Sequence, residues 1–131
     1  AAFPDITNSA LKYAERSGAG NWEVQFVDER GDTGYYNVLR FDPDRQAQYI
    51  LYYDQTAEAL KLALKTLDMP FWHMPITLLT GTRGLRPDME IDGEGRLWMV
   101  FHQLSTGDLF TMATSRAPVV DVVGAAWPLY R

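Results

Sequence analysis

Two histidines, His73 and His102, are the side chains that could carry proton-transfer chemistry near neutral pH. Imidazole is the only side chain with an ordinary pKa in that range, so a general acid–base mechanism would use these residues first. A histidine pair would suit a small hydrolase or phosphodiesterase in which Arg83 or Arg86 holds an anion. Each histidine, however, lies within a run of large apolar residues. We therefore expect both to be half-buried packing residues, and the hydrolase stays an alternative.

A second candidate site is the acidic run Asp88, Glu90 and Asp92, which is followed by Gly93 and resembles the start of a calcium-binding loop. The position that would close the coordination sphere is Met99, and its side chain offers no oxygen. The same acidic residues suit the polar face of a strand that enters a hairpin. We therefore favour the hairpin and expect neither a metal nor a cofactor.

Composition and charge exclude several classes of function. The chain has 131 residues, with 12 Lys and Arg against 17 Asp and Glu, and it contains no basic tract, so a nucleic acid is not an expected partner. No apolar run approaches the roughly 18 residues of a membrane-spanning helix, so no membrane insertion is expected. Cysteine is absent, and no serine lies in a G-x-S-x-G pattern. These observations favour a function other than catalysis.

Aromatic residues make up 13% of the chain. Several are neighbours on predicted strands, where successive side chains face opposite sides of a sheet, so some rings should be exposed. Exposed Tyr and Trp rings beside carboxylates are typical of protein-binding surfaces. We therefore predict a non-enzymatic module that recognises another protein, as inhibitors, immunity proteins and chaperones do; a small-ligand carrier with an aromatic pocket is a further alternative. The predicted contact residues are Asp28, Glu29, Asp32, Tyr36 and Tyr53.

The first residues of the chain bear on its location. Ala1 and Ala2 precede Phe3 and Pro4, and small residues at this position resemble the mature end that remains after removal of a signal peptide. We expect a periplasmic or secreted protein, with a cytoplasmic one as the alternative.

The predicted contact residues would be positioned by strands and the loop that joins them. Alternating apolar and polar residues predict strands at residues 22–27 and 35–41, and a charged, glycine-rich loop at 28–34 lies between them. The aromatic and branched run at 48–53 predicts a central strand. Further strands are predicted at 76–80, 89–91, 96–104, 109–114 and 119–123.

Two segments predict helices. Residues 8–17 begin with an N-cap residue and end before glycines, and in residues 56–67 the side chains Leu60, Leu64 and Leu67 recur at helical spacing. No internal repeat is evident. The whole pattern predicts a single α+β domain over residues 1–131, a mainly antiparallel meandering sheet of about six strands with two helices packed on it.

Overall fold

The computed structural model describes residues 1–81, 85–103, 106–114 and 127–130. Every regular element in this part of the chain is a β-strand. The strands are β1 (Ala2–Asp5), β2 (Ala10–Arg16), β3 (Trp22–Asp28), β4 (Thr33–Asp42), β5 (Ala47–Asp54), β6 (Ala59–Thr66), β7 (Ile76–Thr80), β8 (Leu85–Ile91), β9 (Leu97–Gln103), β10 (Leu109–Ala113) and β11 (Trp127–Tyr130).

The strands form three antiparallel sheets, in each of which every strand pairs with its neighbours in the chain. The first sheet contains β1 to β3, the middle sheet β4 to β7 and the third sheet β8 to β11. The prediction of antiparallel sheet structure is therefore confirmed. The strand predicted at 119–123 lies outside the described residues.

The two-helix α+β prediction is wrong, because both predicted helices are strands. Residues 8–17 contain β2, and Asn8, predicted near the helix start, instead donates from its backbone and side chain to Asp5 in the hairpin turn. Residues 56–67 contain β6, in which Leu60 and Leu64 are buried but Leu67 is 64% exposed. β6 lies in a sheet that is covered on both faces, so it is apolar on both sides, and such a run imitates helical spacing.

The three sheets stack as layers, with the middle sheet between the other two. Along β5, Tyr49 and Leu51 face a core shared with the third sheet, whereas Ile50 and Tyr52 face a core shared with the first. This alternation follows from the strand geometry, which sends successive side chains to opposite faces. Two separate apolar cores result, one on each side of the middle sheet.

The first and middle sheets contain the same hairpin, 49 positions apart in the chain. Asp5 pairs with Ala10 at the start of one hairpin, and Asp54 pairs with Ala59 at the start of the other. The pairing with the following strand shifts register after Leu11 in β2 and after Leu60 in β6. Equal turn lengths and equally placed bulges make this a structural repeat.

The charged groups of the two hairpins repeat as well. The Lys12 ammonium lies 2.6 Å from the Asp5 carboxylate, and the Lys61 ammonium lies 2.7 Å from that of Asp54. Each aspartate also accepts a hydrogen bond from the backbone N–H three residues later in its turn. The repeat thus includes specific side-chain contacts as well as backbone shape.

The third sheet continues the repeat. Ile50 pairs with Ala63 in the middle sheet, and Met99 pairs with Met112 in the third, again 49 positions later. The Ile50–Ala63 pair faces the first sheet, and the Met99–Met112 pair faces the middle sheet. Our expectation that the chain has no internal repeat is therefore wrong: similar meanders are stacked face to face, as neighbouring blades are in β-propellers.

Candidate functional site

The predicted contact residue Asp28 is buried at the end of β3. Its carboxylate accepts a 2.6 Å hydrogen bond from the Tyr52 hydroxyl and a 3.1 Å bond from the Arg30 backbone N–H. The Lys61 ammonium lies 3.7 Å away. Asp28 therefore links the first sheet to the middle sheet, and its side chain is not presented to a partner.

The group around Asp28 is suited to holding sheets together rather than to proton transfer. Lys61 bridges two buried carboxylates, Asp54 and Asp28. Burial raises the pKa of Tyr52 far above its ordinary value, and the hydrogen bond to the Asp28 carboxylate raises it further. Tyr52 thus keeps its proton at neutral pH and serves as a hydrogen-bond donor.

The other predicted contact residues separate into buried and exposed ones. Tyr53 is buried in the core between the middle and third sheets, so it presents no ring to solvent. Asp32 is half-buried; it accepts a 3.2 Å hydrogen bond from Tyr35, and its N–H donates to Thr56. Glu29 is exposed. Fewer of the predicted acidic contact residues are therefore exposed than the sequence suggested.

Tyr36 has the geometry expected of an exposed contact residue. It lies in an irregular part of β4, where the pairing with β5 shifts register between Tyr35 and Val38. Its φ is +51°, a left-handed conformation that is unfavourable for a bulky side chain, and the side chain is 45% exposed. The side-chain amide of Asn37 donates a 2.8 Å hydrogen bond to the Gly34 carbonyl, and this bond closes the backbone around Tyr36.

Gly34 explains how the chain enters this bulge. Its φ is +96°, and a Cβ at this position would lie 3.2 Å from the Cα and Cβ of Leu11 in β2. Only glycine allows both the backbone conformation and the close approach of the two strands. The neighbouring sheet therefore fixes the direction in which the chain leaves Gly34 towards Tyr36.

The Tyr36 ring lies against Arg86 of β8. The centre of the guanidinium is 5.5 Å from the ring centroid, a cation–π distance, and both side chains are exposed. Arg86 is the residue that the sequence reasoning did not connect with Tyr36. The two residues are close because β4 and β8, the first strands of the middle and third sheets, are neighbours. No local sequence pattern indicates that these strands are neighbours.

The histidine site is not assembled in the part of the chain that the structure describes. His102 is exposed on β9, where it pairs with Arg86, and His73 is exposed beside the end of β6, where its N–H donates to the Leu64 carbonyl. No hydrogen bond or ring contact joins the two. The expectation that they are half-buried packing residues is wrong, because both lie at the surface; Arg83 lies outside the described residues.

The acidic run is occupied by protein contacts. Arg40 lies 3.3 Å from both Asp88 and Glu90, and Asp92 accepts hydrogen bonds from Arg96 and from the Trp98 indole. The indole bond, with those from Arg96 and the turn backbone, lowers the pKa of Asp92. Within the described ranges no group of three or more ligating side chains could hold a metal ion.

A shallow pocket of about 180 Å³ lies on the outer face of the third sheet, beside Trp98 and Val100. Cavities that enclose small ligands are commonly several hundred Å³ in volume. This pocket therefore does not favour the carrier hypothesis.

Comparison with known proteins adds no assignment. The chain matches no protein-family model, and neither a curated protein nor a solved structure is significantly similar to it. Among the described residues no helix could span a membrane.

Proposed function

We propose that this protein is a non-enzymatic recognition module that binds another protein through Tyr36 and Arg86. The observation that carries the proposal is the half-exposed Tyr36 ring, held at positive φ against the Arg86 guanidinium. Tyrosine and arginine are the residue types that most often dominate the binding energy of protein interfaces.

The backbone conformation of Tyr36 supports a role that requires this ring at this place. A non-glycine residue in the left-handed region costs of order 1–3 kcal/mol, and such strain is concentrated at functional sites. Gly34, two residues earlier, has a structural reason for its positive φ, since a Cβ would collide with Leu11. The positive φ of Tyr36 accompanies the register shift in β4, and the side chain is 45% exposed and contacts Arg86.

The charge that contacts the ring is the Arg86 guanidinium, and in the described part of the chain it forms no ion pair. Of the acidic residues predicted at this surface, Asp28 is buried, Asp32 accepts a hydrogen bond from Tyr35, and Glu29 is exposed. We therefore propose a partner that places an apolar or aromatic side chain on Tyr36 and a carboxylate on Arg86, the reverse of the basic partner that an acidic rim would attract.

The proposal is tested with two short synthetic peptides of equal length, one alternating Glu and Tyr and the other alternating Lys and Tyr. Calorimetry should show that the acidic peptide binds more tightly. Tyr36→Ala should weaken this binding about tenfold, the effect of losing about 1.4 kcal/mol.

Phe41→Ala is the matched control, because Phe41 lies on the same strand and is 47% exposed. This variant should leave the affinity unchanged. Equal losses in both variants, or tighter binding of the basic peptide, would contradict the proposal.

A further inference from the structure

The outer face of the first sheet is apolar and uncovered. On β3 the side chains of Trp22, Val24 and Phe26 are each more than half exposed. Lys12 of β2 lies on the same face, with its ammonium 4.6 Å from the centre of the Phe26 ring. Contiguous exposed rings of this kind mark an interaction surface.

The structural repeat identifies what kind of surface this is. Lys12 and Ala14 on β2 correspond to Lys61 and Ala63 on β6, 49 positions later. In the middle sheet that face is covered by the first sheet, because Ala63 lies in their shared core and Lys61 lies 3.7 Å from Asp28. The outer face of the first sheet is thus the uncovered equivalent of a sheet–sheet interface that the chain already contains.

The third sheet presents the other half of the same interface. Trp98 and Val100 on its outer face correspond to Tyr49 and Leu51, 49 positions earlier, which are buried against the third sheet. Trp98 and Val100 are instead 47% and 36% exposed. The stack therefore shows complementary halves of one interface on its two outer sides.

We propose that a second copy of this chain docks the outer face of its third sheet onto the outer face of the first sheet, so that the stack continues from copy to copy. The contact is heterologous, since two different faces meet, and it leads to a closed ring or an open chain of copies. This inference rests on the repeat and not on the proposed function, although Arg86 lies on the same outer face of the third sheet as Val100, because it pairs with the neighbouring outward residue His102.

Sedimentation velocity on the full chain at increasing protein concentration provides the first test. The native protein should form species larger than a single chain. Phe26→Glu on the first sheet and Val100→Lys on the third should each abolish them.

An equimolar mixture of the two variants provides the decisive test. Each variant retains one intact face, so the mixture should form a dimer even though neither variant associates alone. Association abolished by Phe26→Glu but retained by Val100→Lys would overturn the proposal in favour of a contact between two first sheets.

A third test uses only the native protein, so it does not depend on whether a variant folds. The protein is diluted and its amide NMR signals are followed. Residues 22–26 and 98–100 should shift together as the protein is diluted. A native protein that stays a single chain at all concentrations, with no such shifts, would also overturn the proposal.

Discussion

The hydroxyl of Tyr52 donates a 2.6 Å hydrogen bond to the carboxylate of Asp28, and this contact joins the middle sheet to the first. Both residues are buried, so removing the hydroxyl leaves a carboxylate without one of its donors. Tyr52→Phe should lower the free energy of unfolding by about 1.5–3 kcal/mol, as expected for a hydrogen bond to a charged group. Urea unfolding measures this free energy. Tyr36→Phe is the control: it alters an exposed ring and should change the free energy of unfolding by less than about 0.5 kcal/mol.

The same contact predicts a loss of stability at alkaline pH. Burial and the Asp28 carboxylate raise the pKa of Tyr52 above the ordinary 10.0, so the folded protein retains a proton that the unfolded chain loses. The stabilisation is complete below pH 10.0 and decreases as the pH rises above it. Unfolding between about pH 9 and pH 11 should show a shallower decline in Tyr52→Phe than in the native protein. Identical pH dependence in the two proteins would contradict this role of Tyr52.

The turn aspartate of the first sheet should titrate at unusually low pH. The hydrogen bond from the Asn8 side chain, followed by that from Lys12, lowers the pKa of Asp5 from 3.8 to about 2. The contact stabilises the fold above pH 3.8, and this contribution is lost as the pH falls towards 2. Carboxyl-carbon NMR should show the pKa of Asp5 rising in both Asn8→Ala and Lys12→Met. A native midpoint near 3.8 would show that the contact does not form.

A pair of leucine substitutions tests β6 as a strand. Leu64 is buried in the core between the middle and third sheets, whereas Leu67, one residue beyond the end of β6, is 64% exposed. Leu64→Ala should cost about 2–5 kcal/mol of unfolding free energy and Leu67→Ala less than about 0.5 kcal/mol. Comparable losses for the two leucines would instead match the predicted helix, on which both faced the core.

Even a methyl group at Gly34 should be costly. Gly20→Ala is the matched control, since Gly20 also has a positive φ but a Cβ there would meet only the end of the Arg16 side chain. Gly20→Ala should cost about 1 kcal/mol from backbone strain. Gly34→Ala should cost about 1–3 kcal/mol more, because the methyl group would press on Leu11. Equal losses in urea unfolding would show that β2 does not approach Gly34 this closely.

Most strands could be predicted from local patterns, but the helices and the repeat could not. In β3 apolar and polar residues alternate, which makes the strand visible in the sequence, but the apolar Trp22, Val24 and Phe26 lie on the exposed face of the sheet. β6 is covered on both sides, and its continuous apolar run carries no such period. The repeat has a visible trace in the sequence, the pattern D-x-T-x-x-A-L-K-x-A at residues 5–14 and 54–63.

The candidate site was only partly predictable for a related reason. The exposed Tyr36 could be expected from adjacent tyrosines that cannot both face a core, whereas the burial of Asp28 depends on Tyr52 and Lys61 from another sheet. Contacts between sheets join residues tens of positions apart, and composition alone does not indicate them. Arg86 was missed because it lies fifty positions after Tyr36.

The most direct test of the recognition site is an amide NMR titration of the dilute native protein with the alternating Glu–Tyr peptide. The largest shifts should lie at residues 34–37 and at Arg86, and Tyr36→Ala should remove them while Phe41→Ala leaves them in place. Shifts that cluster instead around Trp98 or Phe26, with residues 34–37 unchanged, would contradict the assignment of the site to Tyr36 and Arg86.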